Sequence, residues 1–241
     1  MIQEINGILL LDKASGITSN RALQQVKHLF GKKVKAGHTG SLDPLATGML
    51  PICFGKSTKL SGGLLNSDKK YIVTAQFGIK TDTADIDGNI TATQENINNI
   101  FNNLTKELIQ LTLEQFIGEI LQIPPIYSAL KHNGVRLYKL ARQNQNNPNI
   151  NIDIKPRLIK IYSIKLLNIC NIKQQISLEV HCGKGTYIRT LVEDIAAKLA
   201  CLATVSSLHR VSVGDFDSSG MISFNKLLEK SKEELIQLLI I

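Results

Sequence analysis

Tryptophan is absent from the 241 residues, and aromatic residues reach only 5%. That scarcity disfavours extensive stacking of bases on an exposed aromatic platform. Cysteine is sparse too: Cys53, Cys170, Cys182 and Cys201 are scattered without any C-x-x-C pair. This argues against a zinc site and a disulfide framework, and predicts buried, reduced thiols. No apolar run approaches the ~18 to 20 residues that span a bilayer; Ile8 to Leu11 is cut short by Asp12 and Lys13. Met1 to Asn6 carries Glu4 and no basic start, so no signal peptide is expected. A soluble cytoplasmic protein with no membrane association follows as the expectation. Acidic residues are the minority, 20 against 28 Lys plus Arg, for a net charge of +8. A polyanionic partner is favoured, although charge does not say which polyanion.

What is present suffices for a core. With 43% hydrophobic and 20% charged residues the composition is that of a folded chain. At roughly 150 residues per domain, the length fits one large or two small domains. Gly7 to Lys13 reads as a short buried strand running into a turn at Ser15-Gly16. A helix follows with Thr18 or Ser19 as N-cap, Ala22, Val26, Leu29 and Phe30 on one face, and Gly31 at its end. Lys32, Lys33 and Lys35 crowd the exit, where the helix dipole welcomes cations and a phosphate could be met.

From Lys35 to Lys59, glycines and prolines break every period, which predicts a long structured loop. Tyr71 to Phe77 alternates as a strand. Thr112 and Gln115 form a capping-box pattern, which predicts a helix through Leu113, Phe116, Ile117 and Ile120 that stops before Pro124. Gln143 to Asn151 is asparagine-rich and reads as a solvated, mobile loop. Strands over 158–166 and 176–182 precede a helix with Ile188, Leu191, Ile195 and Leu199 inward, and Phe224 to Ile241 reads as one amphipathic helix. Without a βαβ rhythm or an internal repeat, the fold class is α+β.

Asp43 is the one acid between Asp12 and Asp68, and it lies in a glycine-rich basic stretch beginning Gly37-His38-Thr39-Gly40. A lone carboxylate there is either a turn-former or a catalytic group stabilised by nearby cations. His38 carries the same ambiguity between loop cap and base. Tyr71, Tyr187 and Leu208 read individually as core, and Lys13, Lys59 and Lys131 as surface charge. Arg189 has an alternative as an i,i+4 partner of Glu193, worth about 0.3 to 0.5 kcal/mol. Asp82, Asp85 and Asp87 hint at calcium, but Ile90 stands at the glycine position of such a loop and Asn96 at its terminal glutamate, so no metal is expected.

Six blocks in order carry a resemblance. They are Asp12-Lys13 with Gly16-Ile17-Thr18-Ser19; Gly37 to Gly48 with Phe54-Gly55-Lys56-Ser57-Thr58-Lys59; the strand at Tyr71; Gly78 to Gly88; Pro124 to Lys131 with Gly134 to Tyr138; and Gly183 to Leu191. The chain resembles the TruB-type tRNA pseudouridine(55) synthases, bacterial relatives of dyskerin. The resemblance implies a pseudouridine synthase fold, with a mixed, mostly antiparallel sheet flanked by helices and loops. It implies one catalytic domain over 1–241 with a mobile RNA-contacting insertion at about 127–152. Departures are Ala14 for a usual proline, Ser41 for threonine or alanine, and His209 for a common arginine. The last exchanges a permanent charge for one that titrates near neutrality, which would weaken RNA contact above neutral pH. Too few residues follow Asp217 for the family's C-terminal PUA domain, which is expected to be absent.

The implied reaction isomerises the T-loop uridine of tRNA, extracted by base flipping. No redox change or external energy is involved, so no cofactor is expected. The catalytic residues implied are Asp43 as nucleophile or base, Arg189 paired with it, and Tyr71 stacked on the flipped uracil. His38 would fill the gap left by the base, Asp85 would contact its partner base, and Tyr187 and Leu208 would line the uracil pocket. Lys13, Lys59 and Lys131 would contact RNA or support the motifs, and Arg136 would contact RNA. The partner is the T-arm of tRNA, with no obligatory protein partner and a monomeric state expected. The competing classes are a catalytically silent RNA-binding module or folding chaperone, and a metal-dependent RNA hydrolase using Asp43 with Asp82 or Asp85.

Overall fold

Strand β1 (Gly7–Lys13) leads into α1 (Ser19–Phe30), β2 (Ala36–His38), β3 (Thr47–Phe54), a 3₁₀ turn at Gly55–Leu60, α2 (Ser61–Asn66) and β4 (Lys69–Phe77). A hairpin of β5 (Ile79–Thr81) and β6 (Ile90–Thr93) follows, then α3 (Ile97–Asn102), α4 (Lys106–Glu114) and β7 (Gly118–Gln122). Next come the small hairpin β8 (Lys131–His132) and β9 (Val135–Arg136), α5 (Leu137–Asn144), β10 (Arg157–Cys170), β11 (Gln175–Cys182) and α6 (Ile188–Lys198). The order closes with β12 (Ala203–Val213), β13 (Ile222–Ser223), α7 (Phe224–Leu228) and α8 (Lys232–Gln237). This computed structural model describes residues 5–31, 33–144 and 154–240; Lys32 and most of the asparagine-rich stretch 143–151 lie outside them. Two compact units result, Met1–Ile72 with Leu208–Ile241, and Val73–Ser207.

In the first unit the strand order is β13-β1-β3-β12, with β2 also on β3. β1 and β2 run antiparallel to β3, whereas β13 on β1 and β12 on β3 are parallel. Thr18 caps α1, its hydroxyl accepting from the Arg21 amide, and Ala22, Leu23, Val26 and Phe30 are buried. Phe30 meets Phe54 with ring centroids 4.5 Å apart. Burying each such side chain contributes about 1.5–3 kcal/mol.

The second unit runs β12-β4-β11-β10-β7. The β11–β10 and β10–β7 pairs are antiparallel. Tyr71, Val73, Ala75 and Phe77 alternate inward along β4, as their spacing predicts. Phe77 of β4, Leu178 of β11, Ile109 of α4 and Val192 of α6 line a common small void, which places both helices on this unit's apolar sheet face. The mixed, mostly antiparallel α+β architecture agrees with the expected fold class. Among the described residues no helix is long and apolar enough to cross a membrane. Cys53, Cys182 and Cys201 are buried and Cys170 half-buried, all as free thiols.

Three local expectations fail for identifiable reasons. The loop expected over 35–59 contains the strands β2 and β3 and a 3₁₀ turn; β3 is hidden in the sequence because it is buried on both faces and therefore shows an unbroken apolar run instead of alternation. Pro51 sits inside β3; its carbonyl accepts the Thr39 amide on the β2 side, just past the last pair, His38 with Ile52, so the missing N–H interrupts no ladder. The helix expected from Thr112 is instead α4, capped by Thr105, with Thr112 inside it donating to the Leu108 carbonyl at 2.9 Å. Gly118, at φ +108°, then opens strand β7 on β10. The terminal helix is two helices, because Ser231 and Glu234 form a capping box that restarts the chain at α8.

Candidate active site

In the first unit Asp43 is half-buried in the turn between β2 and β3, and the main chain on both sides of it is held by side chains. Ser19 Oγ accepts the Leu42 amide at 2.7 Å and contacts the Leu42 carbonyl at 3.0 Å. Beyond Asp43, the Pro44 carbonyl accepts from the Gly16 amide at 2.9 Å and from Lys13 Nζ at 3.2 Å. Ser15 Oγ donates to the Leu45 carbonyl at 2.9 Å. Asp43 thus sits on a fixed stretch of backbone, which is what a carboxylate needs if it is to meet one atom of a substrate.

Lys13 is 1% exposed, and its ammonium donates to the carbonyls of Ala14, Ile17 and Pro44. Of the two roles expected for Lys13, RNA contact or support of the motif, the hydrogen bonds match the second: the charge lies inside the protein, supporting the Asp43 turn. Burial lowers its pKa from 10.5 to about 8, against the pull of the Asp43 carboxylate, which raises it, and with Arg210 adding to the lowering. Because the folded pKa lies below the unfolded one, the unfolded chain binds more protons between about pH 8 and 10.5. The stability contribution of Lys13 therefore rises with pH across that window. Thermal melts of the parent and Lys13→Met should show the difference moving in the parent's favour as pH increases from 8 to 10.5. A constant difference would show that burial does not lower the pKa of Lys13.

In the second unit Arg189 lies in the first turn of α6 and is 4% exposed. Its guanidinium donates to the Thr83 carbonyl and, at 2.8 Å, to the Tyr127 carbonyl. Asp85, 5% exposed, places one carboxylate oxygen 3.7 Å from Arg189 Nη1, and the other accepts from Thr83 Oγ1 at 2.6 Å. Asp85, expected to contact an RNA base, is here a buried partner of Arg189. Glu193, the i,i+4 neighbour of Arg189, faces Lys80 at 3.6 Å; burial pushes its carboxyl pKa up, against the opposing charges of Lys80 and Arg189.

Tyr187, half-buried, precedes α6, and Gln122 holds its backbone on both sides, accepting its amide at 2.9 Å and donating to its carbonyl at 3.0 Å. Lys131 and Arg136 are exposed and directly paired across β8 and β9. Lys59 is exposed in the 3₁₀ turn, His38 half-buried at the end of β2, Tyr71 buried on β4 and Leu208 buried on β12. His209 places Nδ1 2.8 Å from Thr47 Oγ1. The first unit thus brings Lys13 to the Asp43 turn, and the second brings Asp85 to Arg189. Asp43 and Arg189 belong to different units. Sequence reasoning missed Arg210 and Gln122, and read Ser19 as a possible cap; nothing local marks a side chain that bonds to distant main chain. The Asp82 carboxylate accepts from Asn89, and among the described residues no group of three or more His, Cys, Asp or Glu is placed to hold a metal ion.

Comparison with known proteins places the chain in a class, the pseudouridylate synthases. A solved Cbf5–Nop10–Gar1 complex contains a similar chain, with TM-score 0.69 and 26% identity over 92% of this chain and 54% of that one. A family model for the TruB family pseudouridylate synthase N-terminal domain matches residues 27–188, and one for the tRNA pseudouridylate synthase B C-terminal domain matches 189–240. The tRNA pseudouridine synthase B of Nitrosococcus oceani is 49% identical over 93% of this chain and 69% of that protein. That of Blochmanniella pennsylvanica is 50% identical over 92% and 80% respectively. The chain belongs to the TruB family; it is an isomerase of the pseudouridine synthase class that acts on tRNA.

Proposed function

We propose that the chain converts the T-loop uridine at position 55 of tRNA into pseudouridine, with Asp43 as the catalytic carboxylate. The observation that carries this reading is the fixing of the main chain at Leu42 and Pro44 by Ser19, Gly16 and Lys13. The base is flipped out of the loop at a cost of a few kcal/mol. The bond from ribose C1′ to N1 breaks, the uracil turns, C1′ joins C5, the C5 proton leaves and N1 takes one up. Atoms and electrons balance within the nucleotide, so no cofactor is called for. Asp43 attacks C1′ or removes a sugar proton, and Arg189 is the cation that the family resemblance assigns to it. Tyr71, Tyr187 and Leu208 receive the base, and His38 fills the vacated stack.

Lys59, Lys131 and Arg136, exposed in this structure, are the phosphate contacts of the proposal, joined by neighbouring residues of the 127–152 segment. The enzyme acts as a monomer in the cytoplasm. Tritium release from C5-labelled uridine in a tRNA transcript, with and without EDTA, is the direct test. Release that survives EDTA is expected. Tight tRNA binding without release would favour a silent RNA-binding module or chaperone, and metal-dependent strand cleavage would favour a hydrolase.

A further inference from the structure

Arg210 is among the largest fully buried side chains of the protein, 1% exposed on β12. A buried guanidinium is costly, and well-packed apolar side chains of similar volume often serve folding equally well. Its partners suggest what the charge does. Nε donates to the Met49 carbonyl at 2.8 Å, and Nη2 donates to the Gly40 carbonyl at 2.7 Å. Met49 lies inside β3, paired with Asp12 of β1, and is part of the rigid sheet. Gly40 lies in the turn, three residues before Asp43. One planar group therefore spans from a fixed strand to the turn that carries the carboxylate.

The main chain is shaped to let it through. Gly40 has φ +69°, and a Cβ there would stand 3.3 Å from Arg210 Nη1. Gly48, at the other end of the turn, has φ +96°, and a Cβ there would meet the Arg210 carbonyl at 2.3 Å. Parallel pairing of Arg210 with Gly48 fixes that approach. The turn thus closes on Arg210 at both ends, while Ser19, Gly16 and Lys13 hold its middle. A lysine could supply the charge, but not two donors at the fixed spacing of a guanidinium.

We propose that Arg210 is a positioning residue for the isomerisation, holding the turn that carries Asp43 at a fixed distance from β3 through the Gly40 carbonyl. The proposal rests on Asp43 being the catalytic carboxylate. It assigns Arg210 no contact with RNA; the expected signature is a lower chemical rate at unchanged RNA affinity.

The test measures single-turnover tritium release, tRNA affinity and melting temperature for Arg210→Lys, Gly40→Ala and the double variant. Arg210→Lys should release tritium roughly 30- to 100-fold more slowly, the scale of a misplaced reacting group. Its tRNA affinity should stay within about threefold, since no phosphate contact is lost. Gly40→Ala should show the same pattern, and the double variant should be little slower than the slower single, because both changes break one connection. A folded Arg210→Lys with the parent rate, a loss carried by affinity, or rate losses that multiply in the double variant would each overturn the proposal. If Arg210→Lys does not fold, Gly40→Ala decides alone, and an unchanged rate counts against it. The parent and Asp43→Asn are run alongside: a parent that releases no tritium, or an active Asp43→Asn, overturns the functional reading itself. A normal Arg210→Lys beside an active parent and an inactive Asp43→Asn overturns only the inference about Arg210.

Discussion

Asp43→Asn is expected to abolish turnover, with a loss of about 10⁴-fold or more, the scale on which enzymes respond to removal of a catalytic nucleophile or its partner. An amide has nearly the same shape as the carboxylate, so the bonds at Leu42 and Pro44, which use only main-chain atoms of the turn, should persist. Binding of tRNA should change by no more than about threefold, because an acidic side chain contributes no favourable phosphate contact. The charge of Asp43 raises the pKa of Lys13, so its removal should lower that pKa further. Single-turnover tritium release with a parallel filter-binding measurement checks the main effect. Turnover well above background in a folded Asp43→Asn protein would remove Asp43 from the centre of the reaction.

Arg189→Ala should lose both activity and stability, by separable routes. The rate is expected to fall by roughly 10³-fold, as for the loss of a group that orients and stabilises charge in a site. The stability loss has its origin within the second unit: the Asp85 carboxylate stays buried with Thr83 Oγ1 but without its cation, and the carbonyls of Thr83 and Tyr127 lose a donor. Breaking a buried pair from one side typically costs about 3–5 kcal/mol. Adding Asp85→Asn to Arg189→Ala removes the stranded charge, so the melting temperature should partly recover while the rate stays low. Recovery of both together would mean that Arg189 serves only the fold. A near-normal rate in Arg189→Ala would remove it from the proposed site.

The elements legible in the sequence were those whose local chemistry and burial pattern agree. β4 alternates because one face is buried, and its Tyr71, Val73, Ala75 and Phe77 read directly as the inward set. α1 shows both its cap at Thr18 and its glycine at residue 31. The blocks around Asp43, Tyr71 and Arg189 identified the family because they combine rare residue types at fixed spacing, and the family models cover the same stretches. By itself, then, the sequence determined the α+β class, the locally signalled elements, the family and the candidate chemistry.

The partners of the charged side chains were decided by tertiary structure alone. Lys13 looks in sequence like any lysine near a turn, yet its ammonium ends on three carbonyls in the interior. Asp85 and Arg189 are more than a hundred residues apart, and Arg210 reaches Gly40 and Met49 across a still longer stretch of chain. β3 and β7 were hidden for a related reason: a strand buried on both faces has no alternation to read, and the five residues of β7 follow a helix whose cap lies seven residues before the one expected. Local pattern reports which face a residue presents. Which distant carbonyl or carboxylate completes a buried charge depends on how the strands are ordered, and that is fixed only when the whole chain has packed.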